Sequence, residues 1–326
     1  MSKFRKAAPQ QAKLKMAFYG SQGTGKTLTS LLIAEGLAKR DGKRIAFVDS
    51  ERGTDMYACA IKERAVHPDA FDFDALYTRS LMETLEEVKA LDPNVYGVVI
   101  IDSITHLWDA AKESYTGKRG PAGQIPIQAW GAIKRPYKQL IANLLDANLH
   151  VLICGREAIS LEANEFGDLE VTGTKIKAES ETGYEPHLLV RMRQIRNEDK
   201  TWHVEMFVEK DRSGVLAGKT IINPDYTTVA PIVQYLTAGE QAHMGSLEEA
   251  SEKDAEAIGR IAEEEERERT ALFEQIRVAI ESANDLESLK SAWSLTGGKK
   301  KRLGEELFSK LEVIKDARKA AVMKAA

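Results

Sequence analysis

Residues 20–27 read GSQGTGKT, a complete G-x-x-x-x-G-K-T pattern, and this pattern constrains the fold more than any other feature of the sequence. The apolar run 16–19 before it predicts a buried strand, and apolar residues at helical spacing after it predict a helix. A loop between a strand and a helix directs backbone N–H groups and the positive end of the helix dipole at a polyphosphate. The sequence therefore predicts a nucleotide-binding site.

The loop residues have distinct expected roles. The glycines let the backbone wrap the phosphates, Lys26 reaches the β- and γ-phosphates, and the Thr27 hydroxyl holds Mg²⁺. The residues predicted to bind nucleotide here are Gly20, Ser21, Gln22, Gly23, Thr24, Gly25, Lys26 and Thr27. No N-K-x-D guanine motif occurs in the sequence, so ATP with Mg²⁺ is the expected ligand.

Composition favours a cytoplasmic protein with no membrane partner. The 326 residues, 43% of them apolar, suffice for a large α/β domain and a smaller appendage. The sequence shows no apolar run of transmembrane length and no signal peptide pattern at its N-terminus. Cys59 and Cys154 are the only cysteines and lack metal-ligand spacing, which favours a reducing compartment.

Strand and helix patterns alternate after the loop, which predicts an α/β fold with a mostly parallel sheet. The β-branched run 95–101 is typical of a strand buried on both faces. Further strands are expected at 44–48 and 150–154. Helices are expected after Glu51 through Ala65, at 75–91, at 132–148 and at 227–236.

Other segments predict loops and an antiparallel extension. Residues 113–131 are rich in glycine and proline, and 157–185 are polar without a clear period, so both are expected to be loops. The alternating runs 187–195 and 202–209 predict a hairpin that extends the sheet.

The C-terminal part of the sequence, after residue 239, has an acidic segment followed by a basic one. Residues 240–269 carry 11 acidic and 4 basic side chains, whereas 299–326 carry 9 basic and 4 acidic ones. We expect an ATPase domain at 1–239, an acidic linker or helix at 240–269, and a small basic helical module at 270–326.

Two carboxylates follow strands next to the expected phosphate site. Asp102 ends the run 95–101, where it can face Thr27 and complete the Mg²⁺ shell or cap the next helix. Glu51 follows the strand 44–48, where it can orient a water toward the γ-phosphate or be a surface acid.

These motifs resemble those of RecA recombinases. The segment 46–51 (AFVDSE) followed by Asp55 resembles the strand that delivers the catalytic glutamate, and 98–107 (VVIIDSITHL) resembles the second nucleotide motif. The segment 208–212 (VEKDR) is similar to the basic pair that completes a neighbouring subunit's ATP site. The resemblance covers about 14–236 and is closest to compact RecA-like ATPases encoded by phages and prophages.

The resemblance implies a RecA-like P-loop NTPase core and a role for each matching residue. Glu51 becomes the water-activating base, Asp55 an adenine contact, and Lys210 and Arg212 fingers inserted in trans. Arg156 stands where RecA has a glutamine that senses the γ-phosphate. An arginine there can contact phosphate through its forked donors or can pair with an acid.

The loops 113–131 and 157–185 match the two DNA-contacting loops of RecA proteins. The first offers Lys118 and Arg119 near Tyr115, and a further basic candidate is the run 299–302, which can also be a solvated turn. The second loop offers Lys175 and Lys177. It also contains acidic residues that disfavour strong DNA binding, namely Glu162, Glu165, Asp168 and Glu170.

The resemblance therefore implies an ATP hydrolase that binds single-stranded DNA and forms a homo-oligomer, either a filament or a ring. It would act in recombination, repair or replication in the cytoplasm of a bacterial host. Two alternatives remain open: a RecA-fold hexameric helicase or helicase-loading motor, and a low-turnover ATP-binding protein that recruits replication or recombination proteins through residues 270–326.

Overall fold

The computed structural model describes residues 10–116, 125–164, 167–237, 240–241 and 247–325. The chain divides into two compact units, Met1–Met244 and Gly245–Ala326. The first is an α/β unit and the second is built from helices. No helix in the described ranges is both long and apolar enough to cross a membrane.

A nine-stranded sheet forms the centre of the first unit. The strands of the chain are β1 (Gln10–Gln11), β2 (Lys15–Gly20), β3 (Arg44–Asp49), β4 (Asp74–Tyr77), β5 (Tyr96–Asp102), β6 (His150–Ala163), β7 (Leu169–Ile176), β8 (Leu188–Arg196), β9 (Trp202–Asp211), β10 (Thr220–Ile222) and β11 (Glu240–Gln241). The sheet has the order β10-β9-β8-β2-β6-β5-β3-β4, with β7 paired to β6, while β1 and β11 form a separate pair.

The sheet is mostly parallel. The six strands from β8 to β4 run in one direction, while β9, β10 and β7 are antiparallel to their neighbours. This architecture confirms the predicted α/β fold with a mostly parallel sheet. Strands β8 and β9 form the hairpin expected from the alternating runs after residue 187.

In the described part of this unit, five α-helices cover the two faces of the sheet. They are α1 (Lys26–Asp41), α2 (Leu81–Ala90), α3 (Ile104–Thr116), α4 (Trp130–Asp146) and α5 (Tyr226–Thr237). Met16 and Phe18 of β2 pack into a core with α1 and α5, whereas Ala17 and Tyr19 pack into a second core with α2, α3 and α4. Because side chains alternate along a strand, a strand covered on both faces is apolar throughout.

The described residues of the second unit form three helices: α6 (Leu247–Ser282), α7 (Leu286–Ser294) and α8 (Lys300–Ala325), the last interrupted by a non-helical Gly304. Helix α6 runs through residue 269 without a break. The apolar core of this unit contains Ile276 and Ile280 of α6, Leu289 of α7 and Leu311 of α8. Among the described side chains of α6 before Leu272, those of residues 251–271, none contributes to this core.

Two loop predictions were wrong in part, and the helix predicted after Glu51 was wrong. Within the segment 157–185, residues 157–163 pair with 169–176 as the antiparallel strands β6 and β7, whereas 177–185 form turns and bends. The segment 113–131 is not all loop, since α3 extends to Thr116 and α4 begins at Trp130, while 117–124 lie outside the described residues. Residues 51–65 form turns instead of a helix.

The predicted helix 75–91 is in fact the strand β4 followed by α2. Ser80 separates them, since its side chain accepts a hydrogen bond from the N–H of Glu83 and caps α2. The sequence prediction missed this cap and merged the two elements.

Candidate nucleotide site

The phosphate loop lies at the carboxyl edge of the parallel strands, between Gly20 at the end of β2 and Lys26 at the start of α1. A Cβ atom at position 20 would lie 2.4 Å from the carbonyl oxygen of Met192, and one at position 25 would lie 2.9 Å from Val204. Gly25 also has a φ of 84°, which side chains disfavour. Glycine is therefore required at both positions for the loop to keep this shape.

The Lys26 ammonium is folded into the loop. Its Nζ donates hydrogen bonds to the carbonyl oxygens of Gly20 (3.0 Å) and Ser21 (2.8 Å). The Thr24 hydroxyl donates to the same Ser21 oxygen over 2.9 Å. These contacts hold a positive charge at the N-terminus of α1, where the helix dipole adds to the attraction for an anion.

Thr27 and Asp102 meet as the sequence predicts for a Mg²⁺ site. The Thr27 hydroxyl donates a hydrogen bond to Oδ2 of Asp102 over 2.6 Å, although β6 lies between the strands β2 and β5 that lead to them. Burial raises the pKa of Asp102 to about 6.

These two oxygens fit Mg²⁺, which proteins hold through one or two carboxylates together with substrate phosphates. In the described part of the chain, no cluster of three or more His, Cys, Asp or Glu side chains could hold a metal alone. A metal at Thr27 and Asp102 would accordingly depend on phosphate oxygens for its remaining ligands.

Glu51 lies at the same edge, with two neighbours. Its Oε1 accepts a hydrogen bond from Nη2 of Arg156 over 3.1 Å and lies 3.6 Å from Nε2 of His106. Burial and the nearby Arg156 charge lower the pKa of His106, which favours the neutral imidazole at pH 7. Of the two possibilities left open for Arg156, the structure places it against an acid, and that acid is the predicted base.

Asp49 positions Glu51, and the sequence prediction missed this residue. Its buried carboxylate accepts hydrogen bonds from the N–H groups of Glu51 (2.8 Å), Arg52 (2.7 Å) and Thr54 (3.1 Å), and from the Thr54 hydroxyl (2.6 Å). The sequence 49–54 (DSERGT) could have indicated this role, because an aspartate followed by small and polar residues favours a turn closed by its own side chain.

Asp55 lies in the turn after this segment. Its exposed side chain accepts a hydrogen bond from the hydroxyl of Tyr77 over 2.5 Å. Its contact with adenine stays a prediction.

Lys210 and Arg212 lie together, but away from the phosphate loop of the same chain. Both side chains donate to the carbonyl oxygen of Tyr184, Arg212 over 3.1 Å. In the sheet register Lys210 pairs with Leu189, which pairs with Ala17 near the start of β2. The two cations are therefore at the amino edge of the parallel strands, opposite the phosphate loop.

The predicted DNA contacts are only partly described. Lys118, Arg119 and Glu165 lie outside the described residues. Lys177 forms an ion pair with Asp109 over 3.0 Å. Within the second unit, Arg302 forms an ion pair with Glu268 over 2.6 Å, and Lys300 lies over the ring of Phe308.

The fold and the loop together define a nucleotide-binding protein of the P-loop class. The family model described as an AAA domain matches residues 12–213, more than half of the chain. The chain belongs to this AAA domain family of P-loop ATPases. No curated protein matches it significantly.

Proposed function

We propose that this protein is a RecA-like ATPase that hydrolyses ATP with Mg²⁺ at the interfaces of a homo-oligomer. It acts on single-stranded DNA in recombination, repair or replication, as the resemblance to the phage-encoded type implies. The observation that carries the ATPase part is the hydrogen bond between Thr27 and Asp102 beside a phosphate loop that already encloses the Lys26 ammonium.

The residues around this hydrogen bond have different roles in ATP hydrolysis. The Lys26 ammonium stabilises the negative charge that develops on the oxygen between the β- and γ-phosphates. Thr27 and Asp102 would hold Mg²⁺, whose positive charge would offset that of the phosphates. Glu51 orients the attacking water from the end of β3, the strand next to β5. Asp55 contacts the adenine.

The sheet register supports hydrolysis at subunit interfaces. Lys210 lies level with Ala17, about 10 Å along the strand direction from Gly20 and two strands to the side. A lysine side chain extends about 6 Å, so it cannot reach its own phosphate loop. If these cations complete an ATP site, the site belongs to the next subunit.

DNA binding rests on the RecA resemblance and on charge. Cations near Tyr115 in the first loop suit single-stranded backbone and base contacts, whereas the acidic side chains of the β6–β7 hairpin disfavour DNA there. Residues 270–326, which hold 11 basic and 8 acidic side chains, would bind a replication or recombination protein.

The test compares ATP hydrolysis by wild-type protein, Lys26→Ala and the control Lys39→Ala, with and without single-stranded DNA. Lys39 lies on the same helix but is exposed, with a single ion pair to Glu35. We expect Lys26→Ala to lose hydrolysis and Lys39→Ala to keep it. Hydrolysis by Lys26→Ala at the wild-type rate would contradict the assignment.

Imaging the wild-type protein with a non-hydrolysable ATP analogue, with and without single-stranded DNA, tests the assembly. Open filaments support the recombinase proposal. Closed rings favour the helicase or loading motor.

A further inference from the structure

Strand β6 continues past the carboxyl edge of the sheet and becomes one arm of a hairpin with β7. The register runs from Glu157 opposite Ile176 to Ala163 opposite Leu169. At the base of the hairpin, the Glu157 carboxylate accepts a hydrogen bond from the Ser21 hydroxyl (2.9 Å) and forms an ion pair with Arg191. The hairpin therefore stands beside the phosphate loop and extends beyond it.

One face of this hairpin is aliphatic and exposed. Ile159 and Leu161 alternate along β6, Leu169 and Val171 alternate along β7, and Leu161 pairs with Val171, so all four side chains share a face. Their exposed fractions are 60%, 52%, 68% and 66%. Contiguous exposed apolar side chains of this kind mark sites of protein association.

The opposite face carries an uncompensated charge pair. Glu162 lies directly opposite Glu170 in the register, an arrangement that destabilises a strand pair. Glu170 accepts a hydrogen bond from the neutral amide of Asn164 over 2.9 Å. Among the described residues no lysine or arginine forms an ion pair with either glutamate, so a cationic surface brought to this hairpin would relieve the repulsion.

We infer that the hairpin docks on a second copy of this chain, on the surface around Tyr184 beside Lys210 and Arg212. This inference rests on the proposed function. When the two cations enter a neighbour's ATP site, the amino edge of one sheet faces the carboxyl edge of the next. The β6–β7 hairpin passes beyond that carboxyl edge and so meets the surface that carries the cations.

The chemistry of the two surfaces matches. The Tyr184 side chain is 75% exposed and offers an aromatic ring to the aliphatic face. Its carbonyl oxygen accepts hydrogen bonds from both Lys210 and Arg212, so two cations lie beside the ring. They attract the acidic hairpin through the field of its charges and not by direct contact, because Glu162 and Glu170 lie on the face away from the ring. The contact is head-to-tail, with different surfaces on the two copies, and such contacts build filaments or rings.

Cysteine cross-linking tests the contact directly. The exposed Cys59 is first replaced by serine, while the buried Cys154 is kept. We expect Leu161→Cys/Tyr184→Cys protein, oxidised with an ATP analogue present, to form a ladder of disulfide-linked oligomers on a denaturing, non-reducing gel. Each single variant should run as a monomer on the same gel. Dimers of Leu161→Cys alone would mean that hairpins contact each other and would overturn the inference. So would the absence of cross-links in assembled protein.

A second experiment measures assembly by analytical ultracentrifugation with the ATP analogue. Leu161→Ser/Val171→Ser should raise the protein concentration needed for half-assembly about tenfold or more. The matched control Val66→Ser/Met82→Ser, which changes two other exposed apolar residues, should assemble like wild type. Unchanged binding of a fluorescent ADP analogue verifies that the hairpin variant is folded.

The outcomes separate this inference from the proposed function. If the hairpin variant assembles like wild type, the inference is overturned and the proposed function stands. If that variant also no longer binds single-stranded DNA, the hairpin is a nucleic-acid contact instead. A wild-type protein that hydrolyses no ATP and stays monomeric overturns both.

Discussion

The guanidinium of Arg156 donates a hydrogen bond to the carboxylate of Glu51 over 3.1 Å, joining the point where β6 leaves the sheet to the end of β3. The side chains are 52% and 43% exposed, so the pair contributes at most about 1 kcal/mol to stability. Its importance is positional, because it fixes the side chain that would orient the attacking water.

We expect Arg156 to act through Glu51. Arg156→Gln should slow ATP hydrolysis, and adding it to Glu51→Gln should cost little more, because two residues that act as a unit have non-additive effects. Steady-state hydrolysis by the two single variants and the double variant measures this coupling. Additive losses would instead favour a direct contact of Arg156 with phosphate.

Substitutions of Glu51 and Asp102 should affect different properties, ATP hydrolysis and Mg²⁺-dependent nucleotide binding respectively. Glu51→Gln should leave nucleotide binding largely intact and slow hydrolysis by about 10²–10⁴, the usual effect of removing a positioned base. Asp102→Asn should weaken binding that depends on Mg²⁺, because its oxygen lies against Thr27. Titration with a fluorescent nucleotide, with Mg²⁺ or EDTA, distinguishes them, and equal loss of binding in both variants would contradict these roles.

Local sequence patterns were enough to predict the phosphate loop, the buried strands and the meeting of Thr27 with Asp102. They work because a parallel sheet places the ends of its strands at one edge. The pairing of Arg156 with Glu51 could not be predicted, since residues 105 positions apart meet only through the strand order. The β6–β7 hairpin was missed because its apolar alternations, Ile159 with Leu161 and Leu169 with Val171, are too short to indicate a strand by themselves.

Asp49 should prove structurally important. Asp49→Ala removes the acceptor of four hydrogen bonds and leaves the buried N–H of Thr54 without its partner. We expect a loss of about 1–3 kcal/mol in the free energy of unfolding, measured by urea denaturation. The exposed Asp72→Ala serves as control and should change it by no more than about 0.5 kcal/mol. Equal effects of the two substitutions would contradict the role of Asp49.

Lys15 should make stability depend on pH. Its buried ammonium donates to the carbonyl oxygens of Leu144, Ala147 and Leu149, and burial lowers its pKa from 10.5 to about 7. The unfolded chain then holds more protons than the folded one between about pH 7 and 10, so this residue makes the free energy of unfolding rise with pH over that range.

Urea denaturation at pH 7, 8 and 9 tests this linkage. Lys15→Met should reduce the rise in the free energy of unfolding with pH, by up to about 1.4 kcal/mol per pH unit. The exposed Lys39→Met should leave the rise unchanged. The same pH dependence in Lys15→Met and wild type would contradict the pKa shift.

The central claim, that ATP is hydrolysed between subunits, is tested most directly by mixing two inactive variants. Arg212→Ala keeps the phosphate loop and lacks a finger, whereas Lys26→Ala keeps both fingers and lacks the loop lysine. Each should be inactive alone, because a finger acting in trans can be worth about 10³–10⁵ in rate. The account predicts that the mixture regains part of the wild-type hydrolysis at mixed interfaces, and no recovery in mixtures shown to co-assemble would contradict it.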